Sequence, residues 1–250
     1  MKKIGIVGGI GWQSTAVYYS QLFRRSEQVH CDKGLRGTPA MPEISIESLD
    51  LAKAMAYLGS DGNEQSWMQF DSYHHAALCR LQMSGAEVAL IASNTPHHRF
   101  DSIVQGIQIP VINIVQEMAK ECARIEARHV LLLGTDLTMR SNKFREEFAR
   151  WGIEANGPRD EDLRKMILEL IADLQRSTSK AAAERLIRIV RCTLRETKFK
   201  HRPTVCLACT ELPLAFEKMI TSRNFEYHHI RFINSVAVHV DSTFNFACAG

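Results

Sequence analysis

The run Val205-Cys206-Leu207-Ala208-Cys209-Thr210-Glu211-Leu212-Pro213-Leu214-Ala215-Phe216 passes from a short apolar segment rich in β-formers, through small and polar residues, into a segment that reads as helix. The first part suits a buried strand, and Cys209 then falls at its carboxyl end. Ligands bind at that end of an open α/β sheet, and a thiol at a helix N-terminus feels a partial positive charge that favours thiolate. Thr210 is placed to cap the helix, and Pro213 fits its first turn, where N–H groups have no intrahelical partner. Cys209 also reads as a small buried hydrophobe, as free cysteines often are, and the stretch alone leaves both readings open.

Cys206 and Cys209 form a CxxC pair. On an extended strand an odd offset points the two side chains to opposite faces, with Cα atoms roughly 10 Å apart at about 3.3 Å per residue. A disulfide needs less than about 7 Å, so a redox pair is not expected. No second CxxC or HxxxH completes a zinc site, and no metal is expected either.

Outward from this stretch the chain alternates strand and helix signals, the pattern of a parallel sheet covered on both faces. Lys3 to Val7 reads as a strand leading into Gly8-Gly9-Ile10-Gly11-Trp12-Gln13-Ser14-Thr15 and a helix from about Ser14 to Arg25. Gly9 and Gly11 are followed by Ser14, so the GxGxxG spacing of a dinucleotide turn is not met, and no acidic residue marks a second strand end. The glycines instead suit close backbone approach to a small substrate, with Ser14 and Thr15 capping the helix and offering hydroxyls. Glu43 to Ser48 reads as a strand, Gly59-Ser60-Asp61-Gly62 as a mobile loop, and Asn63 to Met83 as a helix in which His74 and His75 are satisfied or surface histidines and Cys79 faces the core.

Glu87 to Ala92 is a central strand running into Ser93-Asn94-Thr95-Pro96-His97-His98, where Thr95 can cap and Pro96 can take the first helical position. That is the grammar of the Cys209 stretch with serine in place of cysteine. Ile109 to Ile114 reads as a strand, followed by a helix to Ile125, and His129 to Leu133 ends in Gly134-Thr135. Helices are expected over Thr138 to Trp151, Asp160 to Leu174 and Lys180 to Glu196, with a last strand at Arg231 to Ile233. The order of parts repeats with a shift of roughly half the chain. The expectation is an α/β fold of two similar lobes, each a mostly parallel sheet flanked by helices, related by a pseudo-two-fold axis with Ser93 and Cys209 facing across a cleft. The boundaries read as 1–115, 116–232 and a C-terminal helix over 233–250 that returns to the first lobe.

Length and charge narrow the partners. A chain of 250 residues with 45% hydrophobic and 24% charged residues can bury a substantial core. The 31 basic and 28 acidic residues are interspersed, so the net charge of +3 calls for neither nucleic acid nor a membrane surface. The apolar run after Lys2-Lys3 is too short and glycine-rich for a signal peptide, no segment is long enough to span a bilayer, and seven scattered cysteines form no secreted framework. The chain reads as cytoplasmic, with a small molecule as partner.

Gly8-Gly9-Ile10-Gly11 with Ser14-Thr15, Ser93-Asn94-Thr95-Pro96-His97, Leu133-Gly134-Thr135, Cys209-Thr210-Glu211 and Asn234-Ser235 to His239 resemble, in order, the successive motifs of the aspartate/glutamate racemase family. The resemblance implies a cofactor-independent homodimer of two-lobed subunits acting on an amino-acid or dicarboxylate substrate. Two cysteines would flank the α-carbon, one removing its proton as thiolate and the other delivering a proton to the opposite face, as inversion demands. Cys209 matches the second family cysteine, while Ser93 stands at the first. An alcohol is a far weaker acid than a thiol, so Ser93 suits proton delivery and not removal. The resemblance further implies that Ile10, Ser14, Asn94, Thr95, Thr135 and Thr210 contact the substrate. A family lysine falls on Gln175, beside Arg176, and a family arginine or glutamine has no match near Leu58, which removes the cationic clamp that dicarboxylates usually need.

The sequence thus points to a racemase of aspartate, glutamate or a related small amino acid, lopsided between enantiomers. Two alternatives stand beside it: a single-cysteine decarboxylase of malonate-type acids, and a non-catalytic small-acid binding protein.

Overall fold

The computed structural model describes residues 1–60, 62–176, 181–195 and 203–249. Asp61, expected in a loop, and Lys180 and Glu196, expected as helix ends, lie outside the described residues. The chain divides into two compact units, one of Met1–Asn113 with Val240–Gly250, the other of Ile114–His239.

The first unit runs β1 (Ile4–Gly8), α1 (Trp12–Asp32), β2 (Ile44–Ser48), α2 (Leu51–Ala56), α3 (Met68–Met83), β3 (Val88–Ile91), α4 (Phe100–Val104) and β4 (Val111–Ile112). Its strands form a parallel sheet in the order β2-β1-β3-β4. Every residue of β1 and β3 is buried, as parallel strands covered on both faces must be, whereas no residue of the edge strand β2 is fully buried. The helix expected to end near Arg25 continues to Asp32, because nothing breaks its pattern until Gly34, whose φ is +60°.

The second unit runs α5 (Ile114–Arg124), β5 (His129–Gly134), α6 (Asp136–Arg140), α7 (Asn142–Ala149), β6 (Glu154–Asn156), α8 (Glu161–Arg176), α9 (Ala182–Arg195), β7 (Thr204–Ala208), β8 (Asn224–Tyr227), β9 (Ile230–Asn234) and α10 (Ser235–Cys248). The sheet order is β6-β5-β7-β9-β8, parallel except for the β8–β9 pair. Ile233 and Asn234 belong to β9 and not to a returning helix, and the boundary between the two units falls inside α10. Ile114 opens α5, so the strand expected over Ile109 to Ile114 shrinks to two residues.

The two-residue period of β5 and β7 sorts their side chains into two cores. Leu131, Leu133, Val205, Leu207 and Cys209 pack with α8 and α9, while Val130, Leu132, Cys206 and Ala208 pack with α5 and α7. Cys206 and Cys209 accordingly stand on opposite faces of the sheet, and both are free thiols. Cys206 instead meets Cys122, with 3.5 Å between the sulfurs.

A buried carboxylate fastens the far edge of this unit. Glu121 on α5, whose side chain is fully buried, accepts from Arg124 at 2.7 and 3.0 Å, from Arg223 at 2.7 Å and from Asn224 on β8. Burial alone would push its carboxyl up. The hydrogen bonds from Arg124 and Asn224 and the Arg223 charge outweigh burial and hold it below its usual range. Among the described residues, no helix is long and apolar enough to cross a membrane.

Candidate active site

In the first unit the carboxyl ends of the parallel strands carry the glycine turn and the serine. Gly9 has φ +86°, and a Cβ there would drive into the backbone of Leu49, so only glycine lets the turn lie against the end of β2. Its N–H donates to Thr15 Oγ1 at 2.9 Å, and that hydroxyl reaches the Gly11 carbonyl at 3.2 Å. Thr15 therefore closes the turn. Neither it nor Ser14 caps the helix as expected, because α1 begins at Trp12 with Gly11 at the N-cap and no side-chain cap bond. Ser14 is buried in the first turn of α1, and Ile10 is half-buried in the turn itself.

Ser93 follows β3, its N–H donating to the Ile91 carbonyl at 2.8 Å and its own carbonyl accepting from His97 Nδ1 at 2.8 Å. Since a carbonyl only accepts, the Nδ1 proton is fixed there. His97 stacks on Phe100 with ring centroids 5.4 Å apart. Asn94, not Thr95, is the N-cap, and the following turn Thr95–Arg99 is a 3₁₀ helix with Pro96 near its start. Ser93 and Thr95 are half-buried, and Asn94 is buried. Arg99, the cation of this turn, is bound by Asp71 at 2.8 Å and by Glu64 at 2.8 Å and lies over Trp67. It is a structural clamp on α3.

In the second unit Thr135 caps α6, its hydroxyl accepting from the Thr138 N–H and lying 3.0 Å from Thr138 Oγ1. Arg140 and Arg164 of this region both turn to Asp136. Asn234 at the end of β9 accepts from the N–H groups of Val236 and Ala237 and starts α10.

Cys209 follows β7, and here the structure corrects the sequence reading. No long helix begins after it. Glu211, and not Thr210, is the N-cap of a four-residue 3₁₀ turn, Leu212–Ala215. A helix dipole is not available to ionise the thiol, since such a short turn aligns too few peptide units. Cys209 is 4% exposed, and its Sγ donates to Glu211 Oε2 at 2.9 Å. Burial pushes the thiol well up, and the Glu211 charge and hydrogen bond push it further; backbone N–H groups of Glu211 and Thr210 oppose this without reversing it. Burial and the neighbouring Glu211 thus favour the thiol form of Cys209 over the thiolate.

Thr210 Oγ1 donates to the same Oε2 at 3.2 Å, so its hydroxyl is directed at Glu211. Glu211, part of the Cys209-Thr210-Glu211 motif but not among the residues expected at the site, is the acceptor that stands against the thiol. A carboxylate two residues past a strand-end cysteine is the sequence signal for it. The structure thus brings Cys209, Thr210 and Glu211 together in one unit and Ile10, Ser14, Ser93, Asn94 and Thr95 onto the strand ends of the other, with Thr135 at the end of β5.

In one unit a strand end carries a buried thiol with its carboxylate acceptor, in the other the strand ends carry a glycine turn and hydroxyls, and strand ends of this kind are where α/β folds bind small molecules. The family model for Asp/Glu/Hydantoin racemase matches residues 7–243, and the chain belongs to that family. It is 23% identical over 209 residues to the broad specificity amino-acid racemase RacX of Bacillus subtilis (strain 168), covering 84% of this chain and 85% of that one. Its structure is similar to that of an aspartate racemase homologue from Pyrococcus horikoshii OT3, with TM-score 0.74, 27% identity and coverage of 99% and 100% of the two chains. The fold is also shared with the aspartate racemase of Picrophilus torridus, at TM-score 0.72, 19% identity and coverage of 98% and 94%.

Proposed function

We propose that this protein is a cofactor-independent amino-acid racemase in which Cys209 exchanges the substrate α-proton. The observation that carries the reading is the 2.9 Å contact from Cys209 Sγ to Glu211 Oε2, in a chain of a racemase family. A buried thiol is a poor base until its proton leaves, and Glu211 is within reach to accept it. In the slow direction the Ser93 oxygen takes the α-proton as its own proton leaves to solvent, and the Cys209 thiol hands its proton to the carbanion and is reprotonated from solvent. In the other, transfer to Glu211 readies the sulfur to remove the α-proton, the carboxylate becoming a carboxylic acid. Ser93 serves the opposite face of the same carbon, and because it holds its proton so firmly the two directions differ in their individual rate constants while the equilibrium does not.

The substrate is a small amino acid. Among the described residues, Arg99, Arg140 and Arg164, in the segments that follow β3, β5 and β6, each pair with carboxylates, which supports side chains that need no arginine clamp over dicarboxylates. The name of the Bacillus subtilis relative supports a broad range. Ile10, Ser14, Asn94, Thr95, Thr135 and Thr210 line the substrate, and the active form is a homodimer.

Proton NMR of L- and D-amino acids in deuterium oxide tests the activity. Loss of the α-proton signal in one enantiomer before the other, and abolished by Cys209→Ala, is the expected result. Absence of exchange across a panel of neutral, acidic and basic amino acids overturns it. Light scattering after gel filtration tests the dimer, which a mass of about 28 kDa would refute.

A further inference from the structure

Three thiols lie exposed, Cys31, Cys192 and Cys248, and none has a side-chain partner among the described residues. Cys79, expected to face the core, is half-buried on α3 and differs from all of them. Its Sγ lies 3.3 Å from Nε2 of His75, one helical turn earlier. The other nitrogen of that ring, Nδ1, lies 2.9 Å from the carbonyl oxygen of Ile103 on α4. A carbonyl has no proton to give, so Nδ1 carries the hydrogen and Nε2 presents its lone pair to the sulfur. The ring is fixed from behind by a neighbouring helix and aimed at a thiol in front.

Nucleophile, base and orienting group in line are the arrangement that activates a cysteine. None of the three belongs to the strand ends that carry the candidate site. We propose that Cys79 is a second, independent reactive centre, a thiol modification site that exchanges with low-molecular-weight disulfides. The proton on Sγ passes to His75 Nε2, and the thiolate attacks one sulfur of the incoming disulfide. That S–S bond breaks as a new one forms to Cys79, and the departing thiolate takes the proton back from His75. One disulfide is consumed and one is made, so no further oxidant is required.

The competing thiols give the expectation its scale. An unassisted thiol is only a few per cent thiolate at pH 7, so a base that takes its proton raises the exchange rate by about tenfold, part of the gain being lost to lower nucleophilicity. Cys122 and Cys206, whose sulfurs also approach each other, are fully buried and cannot meet an incoming disulfide.

The test is brief exposure of the whole protein to oxidised glutathione at pH 7, followed by peptide mapping of the mixed disulfides. Cys79 is expected to accumulate glutathione about tenfold faster than Cys31, Cys192 and Cys248, and His75→Gln to remove that advantage while leaving the other three rates unchanged. A Cys79 rate no greater than those of the exposed thiols in the wild-type protein overturns the proposal without recourse to any variant. So does an unaltered Cys79 rate in His75→Gln with an unchanged circular dichroism spectrum. α-Proton exchange of amino acids, measured on the same samples, reports separately on the racemase reading.

Discussion

Cys209 Sγ and Glu211 Oε2 are 2.9 Å apart at the end of β7, with the thiol donating and the carboxylate accepting. The pair has opposite consequences for reactivity and for turnover. The carboxylate charge opposes a thiolate, yet it is also the group that can take the thiol proton.

Glu211→Gln separates the two. The carboxylate raises the thiol through its charge and hydrogen bond, so removing it lowers the Cys209 pKa, and alkylation at pH 8 should quicken by about threefold for each unit of that fall, lower nucleophilicity taking back part of the gain in thiolate. α-Proton exchange should fall by about 100-fold, the usual worth of a positioned acid–base group. Peptide-resolved iodoacetamide labelling, with exposed Cys31 as internal reference, and NMR exchange measure both. Loss of turnover with slower labelling would mean that Glu211 supports the loop and not the proton.

Ser93→Cys tests the proposed asymmetry. A thiol titrates near 8.5 and an alcohol far above neutrality, so a sulfur at this position should speed the slow enantiomer by about tenfold or more and change the fast one little. Ser93→Ala should abolish inversion while leaving α-proton exchange of one enantiomer through Cys209. Single-enantiomer progress curves by polarimetry, beside NMR exchange, distinguish these outcomes. Equal effects of Ser93→Cys on both directions would contradict the assignment.

Much of this frame is legible in the sequence, and the unread parts have definite causes. The buried strands β1, β3, β5 and β7 announce themselves as continuous apolar runs, because both faces of each must be covered. The edge strands β6 and β8 do not. Glu154-Ala155-Asn156 buries only Ala155, and Asn224-Phe225-Glu226-Tyr227 only Phe225, too little pattern to distinguish either from a loop. The break between α6 and α7 rests on Ser141, whose hydroxyl accepts from the Phe144 N–H inside what reads as one helix. After Cys209, Leu212-Pro213-Leu214-Ala215 reads as helix from its composition. Its backbone closes 3₁₀ turns instead, and Phe216 at φ −122° and ψ 63° ends them.

Glu121 supplies a stability prediction. Four hydrogen bonds from Arg124, Arg223 and Asn224 converge on a fully buried carboxylate, so Glu121→Ala should destabilise the second unit by about 2 kcal/mol through the lost charge-assisted bonds, the arginines being exposed enough to be rehydrated. Because its folded pKa is depressed, the contribution is complete above its unfolded value near 4.5 and is lost as pH falls through the folded one. Urea unfolding of wild type and variant at pH 7 and pH 4 reads this as a difference that narrows on acidification. A constant difference would remove the charge from the explanation.

His74 gives the counterpart in the first unit. The ring is fully buried, 4.2 Å from Phe70 between centroids, with Nδ1 donating to the Phe70 carbonyl at 2.8 Å. Its Nε2 is buried and has no hydrogen-bond partner among the described residues. Protonation would place an N–H there with no acceptor. Burial accordingly lowers the pKa, and neither the hydrogen bond to Phe70 nor the Asp71 charge restores it. The unfolded chain takes up the proton below about 6.5 while the folded chain does not, so stability is complete above that value and falls as pH drops from it toward the folded pKa. The loss attributable to this one ring is at most about 1.4 kcal/mol per pH unit. Thermal unfolding between pH 7.5 and 5 should show the decline in the wild type and a shallower one in His74→Met, which keeps volume and apolarity without a titrating group. Parallel profiles for the two proteins would assign the acid sensitivity to another histidine.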